Sequence, residues 1–289
     1  MKNKADSALL FLGLNFLWSW SFWGVAILLG EPIDQSITMI LMALGGLGPL
    51  ISTLFLLFAV NSSSYRREYV SRLFDPRRIP LKWGVIILLF TPALTLIAFL
   101  LSAGLLGTPL ILNTSSEFLG RSLGGFIWLL VFTFFFGPFP EEAGWRGYAL
   151  DRLQKDHSAL TASLLLGAVW ALWHLPLVFI QGTYQSSLGI GSPIFWRYML
   201  SIVAEAVFIT WVYNHTQRSA LAAVLFHFVT NLNPIEGILA NRKVGAAYLA
   251  SEETLWLLFG IRVLAAVVIV WIWGARTLAK ERKLSSESS

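Results

Sequence analysis

Six residues in the middle of this chain could together do hydrolytic chemistry: Glu141, Glu142, Arg146, His174, His227 and Asn231. A free carboxylate beside imidazoles can take a proton from water. It can also ligate a divalent metal. Within Glu141-Glu142-Ala-Gly-Trp-Arg146, Glu142 and Arg146 stand four residues apart with the acid first. That is the favoured order for a helical ion pair. Glu141 has Trp145 at the equivalent position, and neighbouring helical side chains diverge by about 100°. The spacing therefore makes Glu142 the paired structural acid and Glu141 the free carboxylate. His227 and Asn231 are also four apart, so one helix face can aim both at a common point. Both can donate hydrogen bonds there. Such a pair can stabilise an oxyanion, or His227 can be a metal ligand with Asn231 beside it.

Competing hydrolytic schemes lack their residues. The chain has no cysteine, so a thiol nucleophile, a thiolate metal site and a disulfide are all excluded. No histidine is followed by glutamate, which removes the helical His-Glu-x-x-His zinc site. No serine-nucleophile elbow is expected, and no Gly-Lys-Ser/Thr phosphate loop is present. Asp6, Asp34, Asp75, Asp151 and Asp156 fall in predicted loops or at span ends, so a buried aspartyl dyad is not expected. What survives is a Glu–His site, with or without a metal.

The elements that must position these groups are read from composition. Of 289 residues, 56% are hydrophobic and 13% charged, against about 25% charged in an ordinary soluble domain. With a mean hydropathy of +0.68, the chain cannot coat itself with polar surface, so it reads as an all-α polytopic membrane protein in one domain. A hydrocarbon core of about 30 Å needs about 20 apolar residues of helix. Eight segments approach this: Ala8–Leu29, Ile37–Val60, Trp83–Leu106, Leu123–Pro140, Ala159–Ile180, Phe195–Tyr213, Ala220–Leu232 and Thr254–Leu278. The first is too long for a cleaved signal segment. Gly137, Pro138 and Pro140 should break the fourth, and a polar helical stretch, Glu141–Gln154, follows. The seventh is short.

Basic residues set the orientation. With the N-terminus inside, 16 of the 21 Lys and Arg fall on inner segments and five (Arg121, Arg197, Arg242, Lys243, Arg262) on the outer side or outer span ends. Cytoplasmic loops carry the excess, so both termini are expected in the cytoplasm. The net charge of +5 is read as this bias and not as a nucleic-acid surface. Arg66 to Arg78 is read as a positive inner loop, and Ser285–Ser289 as a disordered tail. Counted from the inner helix ends, Glu141 lies about 16 Å deep, His174 about 20 Å and His227 about 12 Å. Three helices can therefore bring these groups to one buried cluster on the cytoplasmic half. Glu205, an acid inside the sixth span, is a further functional candidate. His157 and His215, near inner span ends, read as packing residues.

At these residues the sequence resembles the CAAX-protease and bacteriocin-processing family of intramembrane endopeptidases, which includes the type II CAAX prenyl proteases. The family's Glu-Glu-x-x-x-Arg motif reads Glu141-Glu142-Ala-Gly-Trp-Arg146. Its aromatic-x-x-x-His motif reads Trp170-Ala-Leu-Trp-His174, with Trp where Phe is usual. Its His-x-x-x-Asn motif reads His227-Phe-Val-Thr-Asn231. The motif region covers about residues 126–232.

The resemblance implies eight transmembrane helices and peptide hydrolysis within the membrane. It implies water activation by Glu141 assisted by His174, and an oxyanion pair of His227 and Asn231, with Glu142, Arg146 and Trp170 in support. Trp170 is expected to narrow the cavity. The implied substrate is a membrane-associated peptide such as a prenylated CAAX tail, met among membrane lipids. The family has also been described as metalloproteases, in which case Glu141, His174 and His227 would be zinc ligands. The metal-independent scheme is preferred because asparagine is a poor zinc ligand and a good oxyanion donor. The rival readings are a non-enzymatic immunity or scaffold protein, with polar contacts serving helix packing, and a transporter using Glu205 and the broken helix.

Overall fold

The computed structural model describes residues 8–113, 122–244 and 247–279. The Ser285–Ser289 tail, together with Lys2, Lys4, Arg121, Lys280, Arg282 and Lys283 of the charge count, lies outside the described residues.

The architecture is a bundle of apolar helices. In chain order they are α1 (Ala8–Leu29), α2 (Ser36–Gly46), α3 (Gly48–Ala59), α4 (Ser63–Phe74), α5 (Leu81–Leu106), α6 (Leu123–Phe136), α7 (Pro138–Gly144), α8 (Leu150–Leu153), α9 (Ala159–Trp173), α10 (Tyr184–Ser187), α11 (Pro193–His215), α12 (Ala220–Leu232), α13 (Pro234–Ile238) and α14 (Glu252–Trp273). A short β pairing joins β1 (Ile111–Leu112) to β2 (Leu239–Ala240), antiparallel, with Ile111 opposite Ala240. Local sequence explains where many helices begin. Ser62, Ser122, Ser158, Ser192, Ser219 and Ser251 each precede a helix and accept a hydrogen bond from an amide three residues on, satisfying a donor that the first turn leaves open.

Among the described residues, seven helical segments are long and apolar enough to cross a membrane, and the bent pair α2–α3 raises the number to eight. The predicted straight span Ile37–Val60 is thus corrected. It bends by 43° between Gly46 and Gly48, where Pro49 opens α3. The fifth span is also shorter as an α-helix than expected. α9 stops at Trp173, and a 3₁₀ turn, Leu175–Phe179, takes over at Pro176. The short seventh span gains length from α13 and reaches Ile238. The string Gly120-Arg-Ser-Leu-Gly124 carries the letters of a serine elbow. Its context is a helix cap, because Ser122 Oγ accepts from the Gly125 amide as α6 begins.

Two close approaches hold the core. Gly167 of α9 meets α11 so tightly that a Cβ there would lie 2.8 Å from Ala206 Cβ and 3.0 Å from Val203 Cα. Gly144 of α7 meets α3, where a Cβ would lie 2.5 Å from Pro49 Cβ. Small residues let membrane helices approach in this way.

Several charges expected in loops are buried instead. Arg72, in the positive inner segment, is 2% exposed. It pairs with Asp151 and donates to Tyr213 Oη at 2.8 Å. Asp151 lies in α8, not at a solvated end. Tyr213 Oη and Arg218 Nε donate to its Oδ1 at 2.8 and 2.9 Å. The acid is thus shared among cations and a phenol, and no second carboxyl joins it in a dyad. Burial alone would lower the pKa of Arg72, but Tyr213 and Asp151 more than offset this and hold it above its ordinary value.

Candidate active site

Span four places the two acids. Gly137 separates α6 from α7, Pro138 opens α7, and Glu141 and Glu142 follow in a fully helical turn. Pro at a first helical position costs no hydrogen bond. From Trp145 to Ala149 the helix widens into a π turn, a local irregularity common at functional sites. The stretch expected to be a polar continuation is in fact the protein's interior: Glu142, Trp145, Arg146 and Tyr148 are all 0% exposed.

Glu142 and Arg146 form the predicted pair, with Nη1 2.8 Å from Oε1. The same Oε1 lies 3.0 Å from His227 Nδ1. Glu142 therefore does more than neutralise Arg146. As an ionised carboxylate it only accepts, so His227 carries its proton on Nδ1 and presents Nε2 elsewhere. Arg146 also lies over the Trp170 ring, 4.9 Å from its centre, a cation–π contact in a dry setting.

Glu141 is 8% exposed and lines a cavity of about 540 Å³. It is not without a partner, as its spacing had suggested. Trp170 Nε1 donates to its Oε2 at 2.7 Å. Trp170 is thus the hub of the site. Its ring also meets His227 edge-on at 5.1 Å between centres and His174 at 5.9 Å. Trp170 thus lines the cavity, as expected of it, and also positions Glu141.

His174 caps the end of α9. Its Nδ1 lies 2.8 Å from the Trp170 carbonyl. A carbonyl only accepts, so this bond assigns the proton to Nδ1 and leaves Nε2 as the acceptor. His174, His227 and Asn231 all line the same cavity as Glu141. Asn231 sits beside the helix break, with Nδ2 3.7 Å from where a Cβ on Gly137 would be. All four residues singled out as catalytic therefore share one pocket, and Trp170 lines it with them, while Glu142 and Arg146 are fully buried behind it.

Zinc was the alternative for Glu141, His174 and His227. Among the described residues, no three His, Asp or Glu side chains converge to hold a metal ion.

The cavity also holds residues that the sequence reading placed elsewhere. Arg197 and Arg262, counted at outer span ends, both line it, as do Glu205, Glu236 and Tyr198. Glu205 had been flagged as an acid inside a span. The signal for the two arginines was of the same kind, a cation within an apolar helix.

Two comparisons bear on this site. The profile of the family described as type II CAAX prenyl endopeptidase, Rce1-like, matches residues 123–233, the segment that carries all three motifs. A protein of Methanococcus maripaludis named CAAX prenyl protease 2 is 32% identical over 206 residues, which span 69% of this chain and 73% of that protein.

Proposed function

Because this chain belongs to the type II CAAX prenyl endopeptidase, Rce1-like family, we propose that it hydrolyses a peptide bond near the C-terminus of a membrane-associated, prenylated substrate by a glutamate-activated water. The family membership supports a protease in the membrane. The observation that carries the mechanism is the shared cavity, in which Glu141 is held by Trp170 while His174 and His227 are engaged through Nδ1, with no hydrogen bond to Nε2 among the described residues.

In this reading Glu141 takes one proton from a water that His174 Nε2 helps to orient. The water oxygen bonds to the scissile carbonyl carbon, and the carbonyl π pair moves to oxygen. Asn231 Nδ2 donates to that oxyanion, and His227 does so in its protonated form, which Glu142 stabilises from the other ring nitrogen. The tetrahedral centre then expels the amine, which takes the proton from Glu141. One water is consumed, and a new carboxylic acid and a new amine result, the acid then passing its proton to the amine to give a carboxylate and an ammonium. Burial strengthens each of these contacts relative to water. Every step uses protein groups and water alone. The substrate meets the site among membrane lipids, since a prenyl chain partitions into the bilayer.

The test is cleavage of a prenylated CAAX peptide by the purified protein. Glu141→Gln should lower kcat by at least about 10²-fold without changing the unfolding temperature appreciably. A chelator should leave the wild-type rate unchanged. A fully active Glu141→Gln protein would sink the mechanism, and a rate abolished by chelation and restored by zinc would favour the metal scheme.

A further inference from the structure

The cavity contains a cationic group that the hydrolytic scheme leaves unused. Arg197, near the start of α11, and Arg262, in the middle of α14, both line it. Arg197 is 7% exposed, and its Nη2 is buried with no hydrogen-bond partner. No ion pair closes on its guanidinium among the described residues. Arg262 has one long contact, 3.9 Å to Glu205, and its Nε is also buried without a partner. A guanidinium inside an apolar bundle is costly unless its donors are used.

The nearby acids do not use them. Glu205 accepts from Thr230 Oγ1 at 2.9 Å. Glu236, within electrostatic reach of both arginines, accepts from Asn233 Nδ2 at 3.1 Å. A satisfied guanidinium–carboxylate pair would close at about 2.7–2.9 Å, often through two parallel bonds. Neither Glu205 nor Glu236 closes a direct ion pair on Arg197 among the described residues, so its fork stays open. A planar fork of N–H donors is best matched by a carboxylate from outside.

The position suits a particular carboxylate. Tyr198, the next residue along α11, has its ring centre 6.2 Å from that of His174, and Arg197 lines the same cavity as His174 and Glu141. A CAAX tail has three residues beyond its prenylated cysteine. Fully extended, these span about 10 Å. The free end of such a substrate must therefore lie within that distance of a bond cut beside the cysteine.

We propose that Arg197, backed by Arg262, binds the free C-terminal carboxylate of the substrate and so confines cleavage to bonds close to a chain end. This rests on the CAAX-protease reading above. Arg197 touches no reacting atom here. It sets specificity.

The experiment compares two prenylated CAAX peptides, identical except for a terminal carboxylate or carboxamide, with the purified full chain. Wild type should favour the acid by at least tenfold in kcat/KM, with the difference in KM. Arg197→Gln should lose that factor on the acid and little on the amide, and Arg197→Lys should recover part of it. Equal cleavage of acid and amide by wild type overturns this proposal and leaves the protease reading intact. So does an Arg197→Gln protein that weakens both peptides alike. Cleavage of neither peptide by wild type takes down both readings. If Arg197→Gln does not fold, the wild-type comparison of acid and amide still decides.

Discussion

At the scale of single residues, Trp170 organises the site. Its indole N–H holds Glu141, its ring meets the imidazoles of His174 and His227, and its face receives Arg146. Phenylalanine, the usual residue at this motif position, could supply the ring contacts but not the hydrogen bond. A hydrogen bond to a charged group is worth about 1.5–3 kcal/mol. Trp170→Phe should therefore lower kcat about tenfold while leaving substrate KM within a factor of two or three, as steady-state cleavage would show. An unchanged kcat would mean that Glu141 is positioned by other contacts. The pairing of Glu142 with Arg146 was legible from spacing alone, because helical geometry dictates it. The third partner, His227, comes from a helix 85 positions away and left no local trace.

At the scale of elements, the interior charges near α4 and α8 carry stability. Arg72, Asp151, Tyr213 and Arg218 tie α4, α8, the end of α11 and the following turn together. Tyr69 of α4 adds a bond from its hydroxyl to the Ala143 carbonyl at 3.0 Å, just after the two catalytic-turn acids. Burial pushes the Tyr69 phenol well above its ordinary pKa, so it remains a donor. Removing one partner of a buried ion pair costs about 3–5 kcal/mol, because a charge is left uncompensated. Asp151→Asn should accordingly lower the unfolding temperature in detergent by many degrees. A change of a degree or less would show that water or Glu68, 3.9 Å from Arg72, replaces the lost acid. The hydropathy of the chain did not reveal this cluster. Arginines in an inner segment look like topology signals, and only the packing of α4 against α7 and the π turn distinguishes Arg72 from solvated neighbours such as Arg77, whose side chain is 89% exposed.

At the scale of the whole molecule, counting the bent pair α2–α3 as one span makes eight candidate crossings, an even number that would place the two described ends on one side. The absence of cysteine makes the topology directly testable. A single cysteine at Ser64, before the exposed face of α4, should react with an impermeant thiol reagent from the cytoplasmic side only. One at Ser187, in α10 between the fifth and sixth spans, should react only from the opposite side. Labelling of both positions from the same side would refute the eight-span arrangement. The same arrangement places the cavity among helices from seven spans, α1, α2, α6–α7, α9, α11, α12 and α14, so no isolated fragment of the chain could be expected to keep it.

Periodicity, charge and motif spacing were sufficient for the helical, membrane-spanning class of the protein, the break in the fourth span and the pairing of Glu142 with Arg146. These follow from rules that act over one or two helical turns or over the thickness of a bilayer, and such rules are written in contiguous residues. The tertiary structure alone decided that Trp170 holds Glu141, that Glu142 serves His227 as well as Arg146, and that Arg197 and Arg262 face the cavity. Each of these depends on which face of one helix meets which face of another. That choice is made by close packing, as at Gly144 against Pro49 and Gly167 against Ala206, and no local pattern of residues encodes it.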